Sequence, residues 1–228
     1  MTARVRHSSN FAHEGALLIL ESAQEAIASR GIFRLALSGG ETPRRIHAEL
    51  AQISTDLDWS KVLVTFGDER CVPPDHADSN FGMAKSSLLD HVAIPPENVL
   101  RIRGEVDAQA AADEYEILLA KHAKAGEPRF VHDLILLGLG ADGHTASLFP
   151  ETTALAVTDR NVAANWIPKL NASRVTFTYP LIEAARHICF LVADGAKRGV
   201  VDEVIAGDPR HPASRVAASP QASWFLGF

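Results

Sequence analysis

Five short apolar runs separated by helix-like stretches constrain this chain more than any other feature. They are "IFRLALSGG" (32–40), "KVLVTFGDER" (61–70), "HDLILLGLG" (132–140), "SRVTFTYPLI" (173–182) and "HICFLVADG" (187–195). Such runs are too short for typical helices, and several are too continuously apolar for strands with one wet face. A parallel sheet covered by helices on both faces accommodates them. The stretches between them have apolar residues at helical spacing: "EGALLILESAQEAIASRG" (14–31), "TPRRIHAELAQI" (42–53), "SNFGMAKSSLLDHV" (79–92), "DAQAAADEYEILLAKHAKAG" (107–126) and "AKRGVVDEVIAG" (196–207). Thr42 is expected to cap its helix, with Pro43 at the first helical position. "SWFLGF" (223–228) reads as a last strand. Residues 151–172 show neither period and are expected to form an excursion or a lid. The pattern predicts a single α/β domain over residues 1–228, with a mostly parallel sheet.

Composition narrows the partners. Hydrophobic residues make up 46% and charged residues 22%, enough apolar content for a sizeable core. A formal net charge of −6 argues against nucleic acid, because no basic excess is available to neutralise a polymer of phosphates. A small anion remains possible, since local arginines and lysines can outweigh the global sign. The two cysteines, Cys71 and Cys189, make no disulfide framework, so a reducing, cytoplasmic setting is expected. The first residues lack the pattern of a signal peptide, and no apolar run approaches the roughly 20 residues that span a bilayer, so no membrane partner is expected.

Ligands of open α/β sheets sit at the carboxyl ends of strands. Four of the runs end in polar chemistry there: "SGGET", "GDER", "GLGADGH" and "GAK". These ends point to one composite site. "LSGGETP" (37–43) places two glycines and two hydroxyls before a helix N-terminus, a natural seat for an anion; a plain strand-to-helix turn is the alternative. "GLGADG" matches G-x-G-x-x-G, but Pro150 leaves only a turn or two of helix after Gly143, so a substrate-hugging turn fits better than a dinucleotide site. His144 follows that turn with Asp142 close enough to orient it, and a ring near a helix N-terminus favours the neutral, basic form. Asp68, Glu69 and Arg70 of "GDER" could serve phosphate binding and proton handling, or be a solvated strand end. Arg174 and Lys197 gain meaning only from the company of the other loops. No strong metal spacing occurs, and "DHAD" (75–78) reads as a polar loop rather than a ligand set, so no metal or cofactor is expected.

"LALSGGETP", "VTFGDERCVPPDHADSNFGMAKSSLL", "LILLGLGADGHTASLFP" and "RVTFTYPLI…FLVADGAKR" together resemble the 6-phosphogluconolactonase branch of the glucosamine-6-phosphate isomerase/6-phosphogluconolactonase superfamily. The resemblance runs from about residue 11 to the end. It implies a three-layer α/β/α sandwich with a modified Rossmann-like sheet. It also implies hydrolysis of 6-phospho-D-glucono-1,5-lactone to 6-phosphogluconate, the second step of the oxidative pentose phosphate pathway. On this reading His144 is the acid/base, Asp142 or Asp68 steadies the ring or the water, and Ser38, Gly39, Gly40, Thr42, Arg70, Arg174 and Lys197 hold the sugar phosphate. The partner is then a small sugar-phosphate lactone, and a monomer or weak homodimer is expected. The isomerase branch resembles "DGHIAFNEP", with a glutamate five residues after the histidine; Phe149 stands there in this chain. A non-catalytic sugar-phosphate regulator on the same fold is the remaining alternative.

Overall fold

The computed structural model describes residues 3–228. Along the chain lie β1 (Arg4–His7), α1 (Phe11–Arg30), β2 (Phe33–Leu37), α2 (Glu41–Ile53), β3 (Val62–Phe66), β4 (Asp68–Arg70), α3 (Asn80–Ser87) and α4 (Ala108–His122). There follow β5 (Leu134–Leu137), β6 (Val162–Ile167), β7 (Ala172–Phe177), α5 (Tyr179–Glu183), β8 (Ile188–Val192), α6 (Arg198–Ile205), α7 (Pro212–Ala217) and β9 (Ala222–Leu226).

Every residue of β2, β3, β5 and β8 is buried, which is why these runs carry no polar alternation. They belong to a six-stranded sheet in the order β1-β9-β8-β5-β2-β3, parallel throughout. The chain moves towards β3 through α1 and α2, then steps back through β5, β8 and β9. Right-handed crossovers therefore put α1 and α2 on one face and α4, α6 and α7 on the other, while α3 packs against α2. α1 packs along α2, while α7 packs against α5, α6 and β9. This is the three-layer α/β/α architecture.

The structure departs from the sequence reading in several places. The run 61–70 is two strands. β3 ends at Phe66, and beyond Gly67 the chain enters a second, antiparallel sheet in the order β4-β7-β6. Thr42 does not cap α2. Gly40, at φ 106°, makes the turn, so the helix starts at Glu41 with Thr42 and Pro43 inside its first turn. A left-handed backbone is open to glycine and strained for threonine, which moves the start two residues earlier. β7 stops at Phe177, and residues 179–183 are helical. α3 ends at Ser87 and α4 at His122, both short of the expected ends. Residues 151–172 hold β6, which pairs with β7 along its whole length, and a tight turn at Pro168–Leu170 closed by left-handed Asn171.

Two histidines are part of the core. His47 on α2 is fully buried, neither ring nitrogen has a protein partner, and burial pulls its pKa down to about 4. His132 is also fully buried; burial, helped by the Arg34 charge, pulls it to about 3. Unfolding exposes both rings, which then accept protons near the ordinary value of about 6.5. Stability is complete above that value and falls as pH drops through it, levelling off for His47 only near its folded value. His47→Leu should therefore shrink the stability lost between pH 7 and pH 5 by about 2 kcal/mol. Urea unfolding at the two pH values measures this, and an unchanged difference would show that His47 is not desolvated.

Candidate active site

The chain leaves β2 towards one edge of the main sheet and β5 towards the other. Between these neighbours the loops diverge and open a crevice at the strands' carboxyl ends. A cleft of about 520 Å³ lies there. Ser38, Gly39, Gly40 and Thr42 reach it from the end of β2, and Asp68 and Arg70 from β4. His144 comes from the turn after β5, Arg174 from β7 and Lys197 from the turn after β8. The structure thus brings together the residues that the sequence scatters over five loops. Asp142 stands behind the histidine rather than on the cleft wall.

The His144 ring is held on two sides. Its Nδ1–H donates to Asp142 Oδ1 at 2.5 Å, and its backbone N–H donates to the same oxygen at 3.2 Å. A carboxylate only accepts, so the proton sits on Nδ1 and the Nε2 lone pair is left free. Phe149 stacks on the ring with centroids 3.9 Å apart and planes 19° from parallel. Gly140 makes room for this arrangement, because a Cβ there would fall 2.0 Å from His144 Nδ1. Ala146, beside the ring on the cleft wall, holds a left-handed φ of 49°. Burial lowers the His144 pKa to about 4. Asp68 opposes that shift, and the charges of Lys197, Arg174 and Arg70 reinforce it. The ring is therefore neutral at ordinary pH.

The cations form the other half of the cleft. Arg70 and Arg174 lie directly opposite each other across the antiparallel β4–β7 pair. Like charges in that register repel, which favours an anion between them. Arg174 Nε and Nη1 are buried without a protein partner, as is Ser38 Oγ. Burial, followed by the charge of Arg70, lowers the Arg174 pKa. Arg70 donates to the Asp78 carbonyl, and Lys197 Nζ to the Leu139 carbonyl at 2.6 Å. Unmet guanidinium and hydroxyl donors facing a neutral base suit a small molecule carrying a strong anion at one end.

The three residues of "DER" divide between site and fold. Asp68 Oδ2 accepts from Ser147 Oγ at 2.6 Å, which ties β4 to the His144 loop. Glu69 belongs to the fold. Its carboxylate accepts the backbone N–H groups of Arg70, Asn80 and Phe81 at 2.7–2.8 Å and the Ser79 hydroxyl at 3.1 Å, pinning the start of α3. The proton-handling reading of Glu69 gives way to this structural one. Sequence reasoning also passed over Ser147, Asn80 and Lys169. Asn80 has no signal in the sequence, since it gains meaning only by donating to Asp68 across 12 positions. One group of possible metal ligands occurs among the described residues, Glu203, Asp208 and His211. It lies outside the cleft, and Arg210 already pairs with Asp208. No described helix is long and apolar enough to cross a membrane.

A neutral, carboxylate-backed imidazole facing paired arginines at a sheet's switch point has the make-up of an enzyme site for a small anionic substrate. Residues 6–224 match the family described as glucosamine-6-phosphate isomerases/6-phosphogluconolactonase, and the chain belongs to that family. A 6-phosphogluconolactonase of Synechocystis sp. is 43% identical over 207 residues, covering 89% of this chain and 85% of the relative. One from Nostoc sp. is 39% identical over 214 residues, covering 92% and 88%. Among solved structures, the 6-phosphogluconolactonase of Trypanosoma brucei superposes with a TM-score of 0.86 at 28% identity, over 98% of this chain and 95% of the other. A monomeric glucosamine-6-phosphate deaminase shares the fold, with a TM-score of 0.81 at 18% identity, 98% coverage of this chain and 96% of that one.

Gly140→Ala should break the His144–Asp142 bond while leaving the fold in place, at a cost of roughly 1–3 kcal/mol for the crowding. The check is the downfield Nδ1–H proton resonance together with far-UV circular dichroism. Survival of that resonance in the variant would contradict the packing described for Gly140.

Proposed function

We propose that the chain hydrolyses 6-phospho-D-glucono-1,5-lactone to 6-phosphogluconate, the second step of the oxidative pentose phosphate pathway, with His144 as general base. The observation that carries the reading is the placement of a free, neutral His144 Nε2 and the unmet donors of Arg174, beside Arg70, in one cleft. A δ-lactone is an activated ester. Its opening needs a placed water, a base, and donors for the oxyanion and the leaving ring oxygen.

In this mechanism Arg70, Arg174 and Lys197 bind the phosphate and present C1 to His144. Nε2 takes a proton from water as the oxygen attacks C1. The imidazolium, steadied by Asp142 through Nδ1–H, then returns the proton to the departing ring oxygen; the ring opens to the carboxylic acid, which releases its remaining proton to water and leaves the carboxylate. The turn at Gly39 and Gly40, at the N-terminus of α2, offers backbone N–H groups and the positive end of the helix dipole to negative charge. Asp68, fixed by Ser147, orients the water. Phosphate binding does not touch the reacting carbon; its energy is converted into orientation. Phe149 carries no proton and cannot assist His144 in an aldose–ketose isomerisation, which favours hydrolysis over the isomerase chemistry of the family.

His144→Ala should lower kcat by about 10²–10⁴-fold in an assay of 6-phosphogluconate release corrected for spontaneous opening. Near-wild-type turnover would remove His144 from the chemistry. In the wild type, kcat/KM should hold steady from neutral pH downwards and fall as pH drops through about 4, because the base works only unprotonated. The substrate phosphate's own second ionisation, at about 6, is measured separately and divided out; a remaining fall centred near 6.5, with the fold intact, would contradict the desolvated ring. Arg174→Ala should raise KM strongly, with a smaller effect on kcat, and abolish competition by inorganic phosphate. Undiminished phosphate inhibition would place the phosphate elsewhere.

A further inference from the structure

Lys169 lies in the segment 151–172, where the sequence showed no functional pattern. It sits in the tight turn between β6 and β7, directly after Pro168, and its side chain is about half exposed. Its ammonium nevertheless meets both supports of the His144 ring. Nζ donates to Asp142 Oδ2, the carboxylate oxygen that His144 leaves free. The same Nζ lies 4.6 Å from the centroid of the Phe149 ring, whose stack with His144 is described above. Lys169 is absent from the cleft wall, and neither of the phosphate-facing arginines is among its partners.

We infer that Lys169 is a positioning residue for His144. It shares the Asp142 carboxylate with the ring and clamps Phe149 from above. This rests on the reading of His144 as the base. The physical consequence is specific. An unshared aspartate would pull harder on the Nδ1 proton, favour the imidazolium, and let the ring swing with the carboxylate. With one oxygen taken by an ammonium, Asp142 orients the ring without making it strongly basic. The other charges facing the ring are Asp68 and Arg70 on β4, Arg174 on β7 and Lys197 after β8. His211, before α7, contacts the Asp142 carbonyl at 3.3 Å and pairs with Glu203. Of these, Lys169 alone touches both the Asp142 carboxylate and Phe149.

The test is a charge series at one position: Lys169→Arg, Lys169→Met and Lys169→Glu. His144 titration is followed by histidine NMR in the substrate-free protein, beside kcat and KM. The His144 titration point should stay near wild type in the arginine variant, rise by about 1 pH unit in the methionine variant and rise further in the glutamate variant. In the methionine variant kcat should drop roughly tenfold with KM within about twofold, and arginine should restore it. A titration point indifferent to the charge at position 169, or equal losses in all three variants, would overturn the inference. The NMR readout does not depend on turnover. If His144→Ala retained activity, the general-base reading would fall while the charge series still reported whether Lys169 sets the state of the ring.

Discussion

The Gly67 amide donates to the Leu37 carbonyl of β2 at 3.0 Å, while its own carbonyl accepts the Phe177 amide of β7 at 2.8 Å. One residue thus belongs to both ladders and locks the small antiparallel sheet onto the carboxyl end of the parallel one. The site depends on that join. Without it, β4 and β7 would carry Arg70 and Arg174 out over solvent. With it, both arginines hang above the ends of β2 and β5, opposite His144. The Asp68–Ser147 bond and the Ser147 amide on Thr176 Oγ1 at 3.1 Å close the same triangle from the side of the histidine loop. The cleft is therefore where two sheets meet, and each sheet supplies one half of the chemistry.

The two halves oppose each other electrostatically, and the outcome is useful. Asp68 favours a charged ring; burial and three nearby cations disfavour it. Burial is the largest influence and leaves the ring neutral, with a pKa of about 4. A base so weak is available at any physiological pH but attracts protons poorly. On the function proposed above, a bound phosphate would change the balance. Two negative charges placed on Arg70 and Arg174 would cancel part of the field that depresses His144, so its basicity would rise. If His144 is the base proposed above, ligand binding and base strength would be coupled through the same arginines, although the phosphate would not reach the reacting carbon.

Much of this was legible in the sequence, for a physical reason. Strands buried on both faces need unbroken apolar runs, and a cleft at their carboxyl ends needs glycine and charge just beyond them. Both are local properties, so "LALSGG" and "LILLGLGADGH" show them directly. What escaped notice is set by partners distant in sequence. β6, "VAANWI", is a strand because β7 pairs with every residue of it, and its own composition gives little sign. The break at Gly67 depends on Leu37 and Phe177. Asn80 and Lys169 are ordinary polar residues until the fold places them on Asp68 and Asp142. Thr42 is a capping residue by type, whereas Gly40 takes the capping position by conformation.

Asp142 shows why this cleft needed a carboxylate and would not work with an amide. Its two oxygens receive three donors: the His144 ring N–H, the His144 backbone N–H and the Lys169 ammonium. An asparagine presents one acceptor oxygen and two N–H donors, so it would turn a donor towards either the ring or the ammonium. Only a group that accepts on every side can fix the ring's tautomer and be held by a cation from the other sheet at the same time. The β6–β7 turn thereby reaches the support of the His144 ring without entering the cleft. That contact gives a structural role to a segment whose sequence showed no pattern.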